Sequence, residues 1–83
     1  MTILYFAWLK EKIGKDEEQV DPPAEITNIG ELVEWLAQRG PGYADAFADR
    51  EIVRAAIDQE FAETDAPIAG ATEIAFFPPV TGG

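Results

Sequence analysis

An amphipathic segment over residues 29–39 constrains the fold of this chain more than any other feature. Its apolar residues recur at the spacing that places them on one face of a helix, and they are Ile29, Leu32, Val33 and Leu36. Asn28 can cap the first turn, with Glu31 at the capping-box spacing, and Gly40 followed by Pro41 suits the end of a helix. A helix with one apolar stripe needs a second layer to cover that stripe.

The segments on either side of this helix predict strands. Residues 2–9 are rich in β-branched and aromatic side chains and are apolar on both faces, which favours an internal strand. Residues 17–20 can pair back on it across a helical turn within residues 10–16, before Pro22 and Pro23 end the hairpin. Residues 73–77 predict a final strand, which Pro78 and Pro79 end.

Residues 43–63 allow two interpretations. Residues 44–63 contain no glycine or proline, so local propensity allows one long helix. The alternation of Val53, Ala55 and Ile57 with the residues between them favours instead a half-buried strand, after a short helical segment at residues 43–48. With that strand the order is strand, strand, helix, strand, strand. This order predicts an α+β fold in which one main helix packs on one face of a mixed sheet.

The length and the missing residue types limit the chemistry. A chain of 83 residues has room for one small core, so we expect residues 1–83 to form a single domain. The sequence contains no cysteine, histidine or serine. Serine and cysteine nucleophiles with a histidine base are therefore excluded, as are thiolate metal centres, and no metal site is expected.

The charge limits the partners. A net charge of −10 argues against nucleic acid and against an anionic membrane surface, since both bind clusters of basic residues. The acidic surface could steer the chain toward a basic protein, or it could simply keep the domain soluble. We find no signal-peptide pattern and no apolar stretch of membrane-spanning length, so we expect a soluble cytoplasmic protein.

The sequence ends in Gly82-Gly83, which suggests a reactive terminus. Glycine has no Cβ, so two glycines form a backbone thin enough to enter a narrow channel in another protein. Pro78 and Pro79 stiffen the preceding residues into an extended arm, and residues 78–83 are therefore expected to form an extended tail. The reactive group would be the α-carboxylate of Gly83. The alternative is a frayed end or a cloning remnant.

The complete tail, Phe76-Phe77-Pro78-Pro79-Val80-Thr81-Gly82-Gly83, resembles the C-terminal signature of the MoaD family, the small subunits of molybdopterin synthase. Residues 5–11, 55–60 and 66–68 resemble this family more loosely, so the resemblance runs along the whole chain. It implies a ubiquitin-like β-grasp fold and a strand at residues 52–58. The family often has Arg where Trp8 or Lys10 stands, and Asn where Asp58 stands.

The resemblance also implies a function. In such sulfur carriers a ubiquitin-activating-type adenylyltransferase uses ATP and magnesium to adenylate the terminal carboxylate, and a sulfur donor converts it to a thiocarboxylate. The large subunit of molybdopterin synthase then receives the tail, and the sulfur passes to cyclic pyranopterin monophosphate. The chain would be no enzyme by itself and would hold no cofactor tightly.

Other functions remain open at this point. The carrier could serve thiamine-thiazole or cysteine synthesis, or it could be a ubiquitin-like modifier that is conjugated to lysines. It could also be a ubiquitin-like binding module with an inert tail.

The resemblance assigns two groups of site residues. Gly83, with Gly82 before it, is the catalytic terminus. The residues expected to bind the partner are Phe6, Phe61, Phe77, Pro78, Pro79, Val80 and Thr81. Strand alternation supports this choice, because it places Phe76 in the core when Phe77 points outward, and separates Tyr5 from Phe6 in the same way. The alternative is that these phenylalanines fill a small core.

Overall fold

The computed structural model describes residues 1–79. Within them the chain forms five strands and three helices. The elements in chain order are β1 (Thr2–Tyr5), α1 (Trp8–Ile13), β2 (Glu17–Gln19), α2 (Ile29–Ala37), α3 (Pro41–Ala46), a 3₁₀ turn (Arg50–Ile52), β3 (Arg54–Ile57), β4 (Glu60–Ala62) and β5 (Glu73–Phe77).

The strands form one mixed sheet in the order β2-β1-β5-β3-β4. The first and last strands, β1 and β5, run parallel and lie next to each other, while the other neighbours are antiparallel. The expected mixed sheet and the internal position of β1 are both confirmed. This pairing places the end of β5, and therefore the start of the tail, beside the end of β1.

Helix α2 packs its apolar stripe into the core as predicted. The four stripe residues are buried, and they join Ile3, Tyr5, Ile74 and Phe76 of the sheet in one cluster. The Asn28 side chain accepts the Glu31 N–H at 2.8 Å, and the Glu31 carboxylate accepts the Thr27 N–H at 2.7 Å. The first bond satisfies a donor that the first turn of a helix leaves unpaired, and the second ties the residue before the cap to that turn.

The expected end of this helix was wrong by two residues. Helix α2 ends at Ala37, and Gly40 is the N-cap of α3 rather than a C-terminal stop. Pro41 occupies the first position of α3, where a missing N–H costs nothing because that donor has no partner within the helix. The same Gly-Pro pair thus starts a helix instead of only ending one.

The N-terminal strand is shorter than expected. The strand predicted for residues 2–9 ends at Tyr5, and Trp8 begins α1. Ala7, with φ of 55°, turns the chain between them. Leu9 belongs to this helix and is fully buried, so its apolar side chain reflects core packing rather than strand alternation. A continuous apolar run does not distinguish these two cases.

Residues 43–63 contain a strand, as the alternation and the resemblance predicted. The helical segment lies slightly earlier than expected, at α3, and β3 follows the 3₁₀ turn. Strand β4 was not predicted. It pairs with β3 across a turn in which Asp58 and Gln59 have φ of 48° and 74°. Two-residue hairpin turns of this kind normally carry Asn-Gly or Asp-Gly, so Gln59 stands where the usual glycine signal would be.

Candidate functional site: the outer sheet face and the root of the tail

The strands of the sheet turn alternate residues away from the core. The pairing register aligns four of them, one from each of four strands, in a row across the sheet. These four, with three residues at the end of the sheet where β5 ends, form what we call the outer sheet face. Its members are Leu4, Phe6, Arg54, Ala56, Phe61, Ala75 and Phe77.

Three phenylalanines dominate this face. Phe61 is 81% exposed and Phe6 is 48% exposed, while Phe77 is partly exposed directly after the fully buried Phe76. The rings of Phe61 and Phe77 lie 5.8 Å apart between centroids. The predicted outward orientation is therefore confirmed for all three, and so is the separation of Tyr5, which is buried, from Phe6. Exposed apolar patches of this kind are typical of interaction sites.

The root of the tail adjoins these phenylalanines. The Phe6 N–H donates to the Phe76 carbonyl at 3.1 Å, which extends the pairing of β1 and β5 by one residue and brings Phe6 alongside Phe77. Pro79 then lines a groove of about 1380 Å³ together with Phe61 and Phe77. The surface and the start of the tail thus form one continuous region.

The remaining site residues, Val80, Thr81, Gly82 and Gly83, lie outside the described residues. Their assigned roles, including the reactive carboxylate of Gly83, stay predictions. The same holds for partner binding by Phe6, Phe61, Phe77, Pro78 and Pro79.

Arg54 belongs to this region although sequence reasoning did not select it. It pairs in register with Phe77 at the end of the sheet where β5 ends. Its guanidinium Nη1 donates to the Glu51 carbonyl at 2.6 Å and to the Val53 carbonyl at 3.3 Å. The sequence feature that could have identified Arg54 is its position in the alternating segment 53–58, where it points to the face opposite the buried residues.

A cluster of polar side chains lies on the core side of the sheet. The Glu18 carboxylate accepts hydrogen bonds from the Tyr5 hydroxyl at 2.7 Å and the Tyr43 hydroxyl at 2.8 Å. Lys15 and Arg39 approach the same carboxylate at 3.4 Å. Glu18 pairs with Ile3, which is fully buried, so the cluster faces away from the outer sheet face.

The environment of Glu18 keeps this carboxylate ionised. Burial alone would raise its pKa, but the hydrogen bonds from both tyrosines and the charges of Arg39 and Lys15 hold the pKa below its ordinary value. Burial, followed by the hydrogen bond to Glu18, raises the pKa of Tyr5. A carboxylate that is fully occupied by such partners stabilises the fold rather than taking part in acid-base chemistry.

No helix within residues 1–79 has the length and apolar character needed to cross a membrane.

Comparisons with known proteins agree with this geometry. The model of the ThiS family matches residues 3–83. The molybdopterin synthase sulfur carrier subunits of Escherichia coli and Haemophilus influenzae are each 35% identical over 83 residues, covering all of this chain and 99% of each relative. The crystal structure of small archaeal modifier protein 1 from Haloferax volcanii superposes with a TM-score of 0.73 at 25% identity, covering 96% of this chain and 97% of that one. By sequence along its whole length and by its β-grasp fold, the chain belongs to the ThiS family.

Proposed function

We propose that this chain is the sulfur carrier subunit of molybdopterin synthase and that it carries sulfur as a thiocarboxylate on Gly83. The observation that carries the proposal is the exposed Phe61 beside the partly exposed Phe77, at the root of a tail that ends in Gly82-Gly83. A carrier needs both features, since the apolar surface holds the partner while the thin tail reaches its active site. The two full-length relatives bear the same name.

The chemistry uses the C-terminus instead of a side chain. A free carboxylate is a poor acyl donor, so a ubiquitin-activating-type adenylyltransferase first transfers the AMP part of magnesium-bound ATP to the Gly83 carboxylate and releases pyrophosphate. A donor of sulfide-level sulfur then attacks the acyl carbon, so that a C–S bond replaces the bond to AMP, AMP leaves, and the thiocarboxylate remains. The chain itself holds no cofactor in this scheme, and the need for ATP fits the cytoplasmic location expected from the sequence.

The large subunit of molybdopterin synthase supplies the site of sulfur transfer. We assign its contacts to Phe6, Phe61 and Phe77 on the outer sheet face and to residues 78–81 of the tail. The acceptor, cyclic pyranopterin monophosphate, is an anion. With a net charge of −10 this chain is a poor source of groups for binding it, so the large subunit provides the basic residues.

Intact-mass measurement tests the central step. The chain is incubated with ATP, magnesium, the adenylyltransferase and a sulfur donor, and a variant without Gly82 and Gly83 is treated in parallel. We expect the full chain to gain the mass of one oxygen-to-sulfur exchange and the shortened variant to stay unchanged. Circular dichroism should show the same fold for both, because the deletion leaves all the strands and helices of residues 1–79 in place. An unmodified full chain would overturn the proposal.

A modifier function is the second candidate, supported by the structural similarity to small archaeal modifier protein 1. It predicts that the activated Gly83 carboxyl forms isopeptide bonds with lysines. Adding a lysine-rich acceptor protein to the same incubation separates the two functions, since conjugates would appear in place of the thiocarboxylate.

A further inference from the structure

The basic residues of this chain are few, and most are already paired. The sequence has six lysines and arginines against sixteen acidic residues. Within residues 1–79, four of the six form ion pairs: Lys12 with Asp45, Lys15 and Arg39 with Glu18, and Arg50 with Glu34. Lys10 and Arg54 form none there. An arginine that forms no ion pair with the described residues of so acidic a chain has a positive charge available for another molecule.

Arg54 lies next to Phe77 on the surface that the proposed function assigns to the partner. It is exposed, it pairs with Phe77 across the sheet, and it lines the same groove as Phe61 and Pro79. Aromatic neighbours exclude water from a charged contact when a partner covers them, and arginine is enriched among the residues that dominate binding energy.

The guanidinium is held in place with part of its donor set free. Both hydrogen bonds of Arg54 within the described residues come from Nη1 and end on backbone carbonyls, which carry no net charge. Nε and Nη2 donate to nothing in that part of the chain. These two nitrogens form one edge of the planar guanidinium and match the two oxygens of a carboxylate. The side chain is therefore fixed and presents an edge suited to a bidentate ion pair.

From this geometry we infer that Arg54 binds a carboxylate of the large subunit, and that this ion pair sets the orientation of the complex. The inference rests on the proposed function and adds the chemistry of the partner surface, which is an apolar area containing one Asp or Glu. A partner surface that is basic throughout would pair with the acidic remainder of this chain but repel Arg54. The ion pair thus selects one docking orientation among those that apolar contact alone permits.

Binding measurements with matched variants test this inference. The dissociation constant for the large subunit is measured for the wild type, Arg54→Ala, Arg54→Lys and Lys12→Ala. Lys12→Ala is the control, since it removes the same charge from a residue that is already paired with Asp45 on the helical side of the molecule. We expect Arg54→Ala to weaken binding by about 10-fold or more, and Lys12→Ala to change it by less than about 2-fold.

The other two readouts separate charge from geometry. Arg54→Lys keeps the charge but loses the bidentate edge, so its affinity should lie between those of the wild type and Arg54→Ala. Added salt should weaken wild-type binding more steeply than it weakens binding by Arg54→Ala. Equal losses for Arg54→Ala and Lys12→Ala would overturn the inference, because net charge would then account for both.

The proposed function and this inference fail in different ways. If the wild type gains no sulfur and does not bind the large subunit, the proposed function is wrong and the inference fails with it. If the wild type does both and Arg54→Ala binds as tightly, only the inference is overturned. Circular dichroism on each variant identifies a loss of binding that comes from unfolding.

Discussion

At the scale of single residues, Asp58 connects the hairpin of β3 and β4 to β5, the strand that leads into the tail. The Asp58 carboxylate accepts the N–H of Thr72 at 3.1 Å and the N–H of Glu73 at 2.9 Å. We expect Asp58→Ala to lower the free energy of unfolding by about 1 kcal/mol, since both bonds are lost from an exposed site. Asp58→Asn keeps an oxygen acceptor and should lose much less. Urea denaturation measures both, and equal stability of all three proteins would contradict the assigned role.

Some residue positions could be predicted from the sequence and others could not. Strand alternation placed Phe76 and Phe77 on opposite faces because it depends only on neighbouring residues in a strand, and the family resemblance identified Phe77 as the outward one. The turns at Ala7 and at Asp58-Gln59 were not predicted, since none of these residues is the glycine that positive φ favours. Arg54 was missed because three of the four ion pairs that distinguish the other basic residues from it join distant parts of the chain.

At the scale of elements, the approach of α3 to α1 depends on Gly42. A Cβ built on Gly42 would lie 2.5 Å from the Lys12 carbonyl of α1, so an alanine there must push the two helices apart. We expect Gly42→Ala to lower the free energy of unfolding by about 1 to 3 kcal/mol. Gly40→Ala is the matched control, because its Cβ would meet only the Tyr43 ring at an ordinary 3.8 Å.

Thermal and urea unfolding of the two alanine variants provide the measurement. Similar stability of Gly42→Ala and Gly40→Ala would show that the helices can separate at no cost.

The positions of the short elements were harder to predict from the sequence than the position of the main helix. The periodicity of α2 predicted that helix, but α1 is short and its position depends on contacts with the distant α3. Strand β4 is also short, and it pairs with the neighbouring β3 across a turn that lacks the usual glycine.

At the scale of the whole molecule, the Glu18 cluster couples stability to pH. It joins β2 to β1 through Tyr5 and to α3 through Tyr43. The pKa of Glu18 is lowered on folding, so its contribution is present above the ordinary value of 4.5 and is lost as the pH falls through the lowered value. The pKa of Tyr5 and that of Tyr43 are raised, so their contributions are present below 10.0 and are lost at higher pH.

Acidification also relieves repulsion within a molecule of net charge −10, so the pH dependence of the wild type alone mixes two opposing effects. Glu18→Gln separates them. We expect this variant to be less stable than the wild type at pH 7, and the difference to shrink as the pH falls below 4.5, since protonation removes the same charge from the wild type. Glu17→Gln, an exposed position on the opposite face of β2, is the control and should follow the wild type. If the deficit of Glu18→Gln stayed constant down to the lowest pH at which both proteins fold, the tyrosines would bind the protonated Glu18 side chain as well as they bind the ionised one. The negative charge of Glu18 would then not be what holds the three elements together.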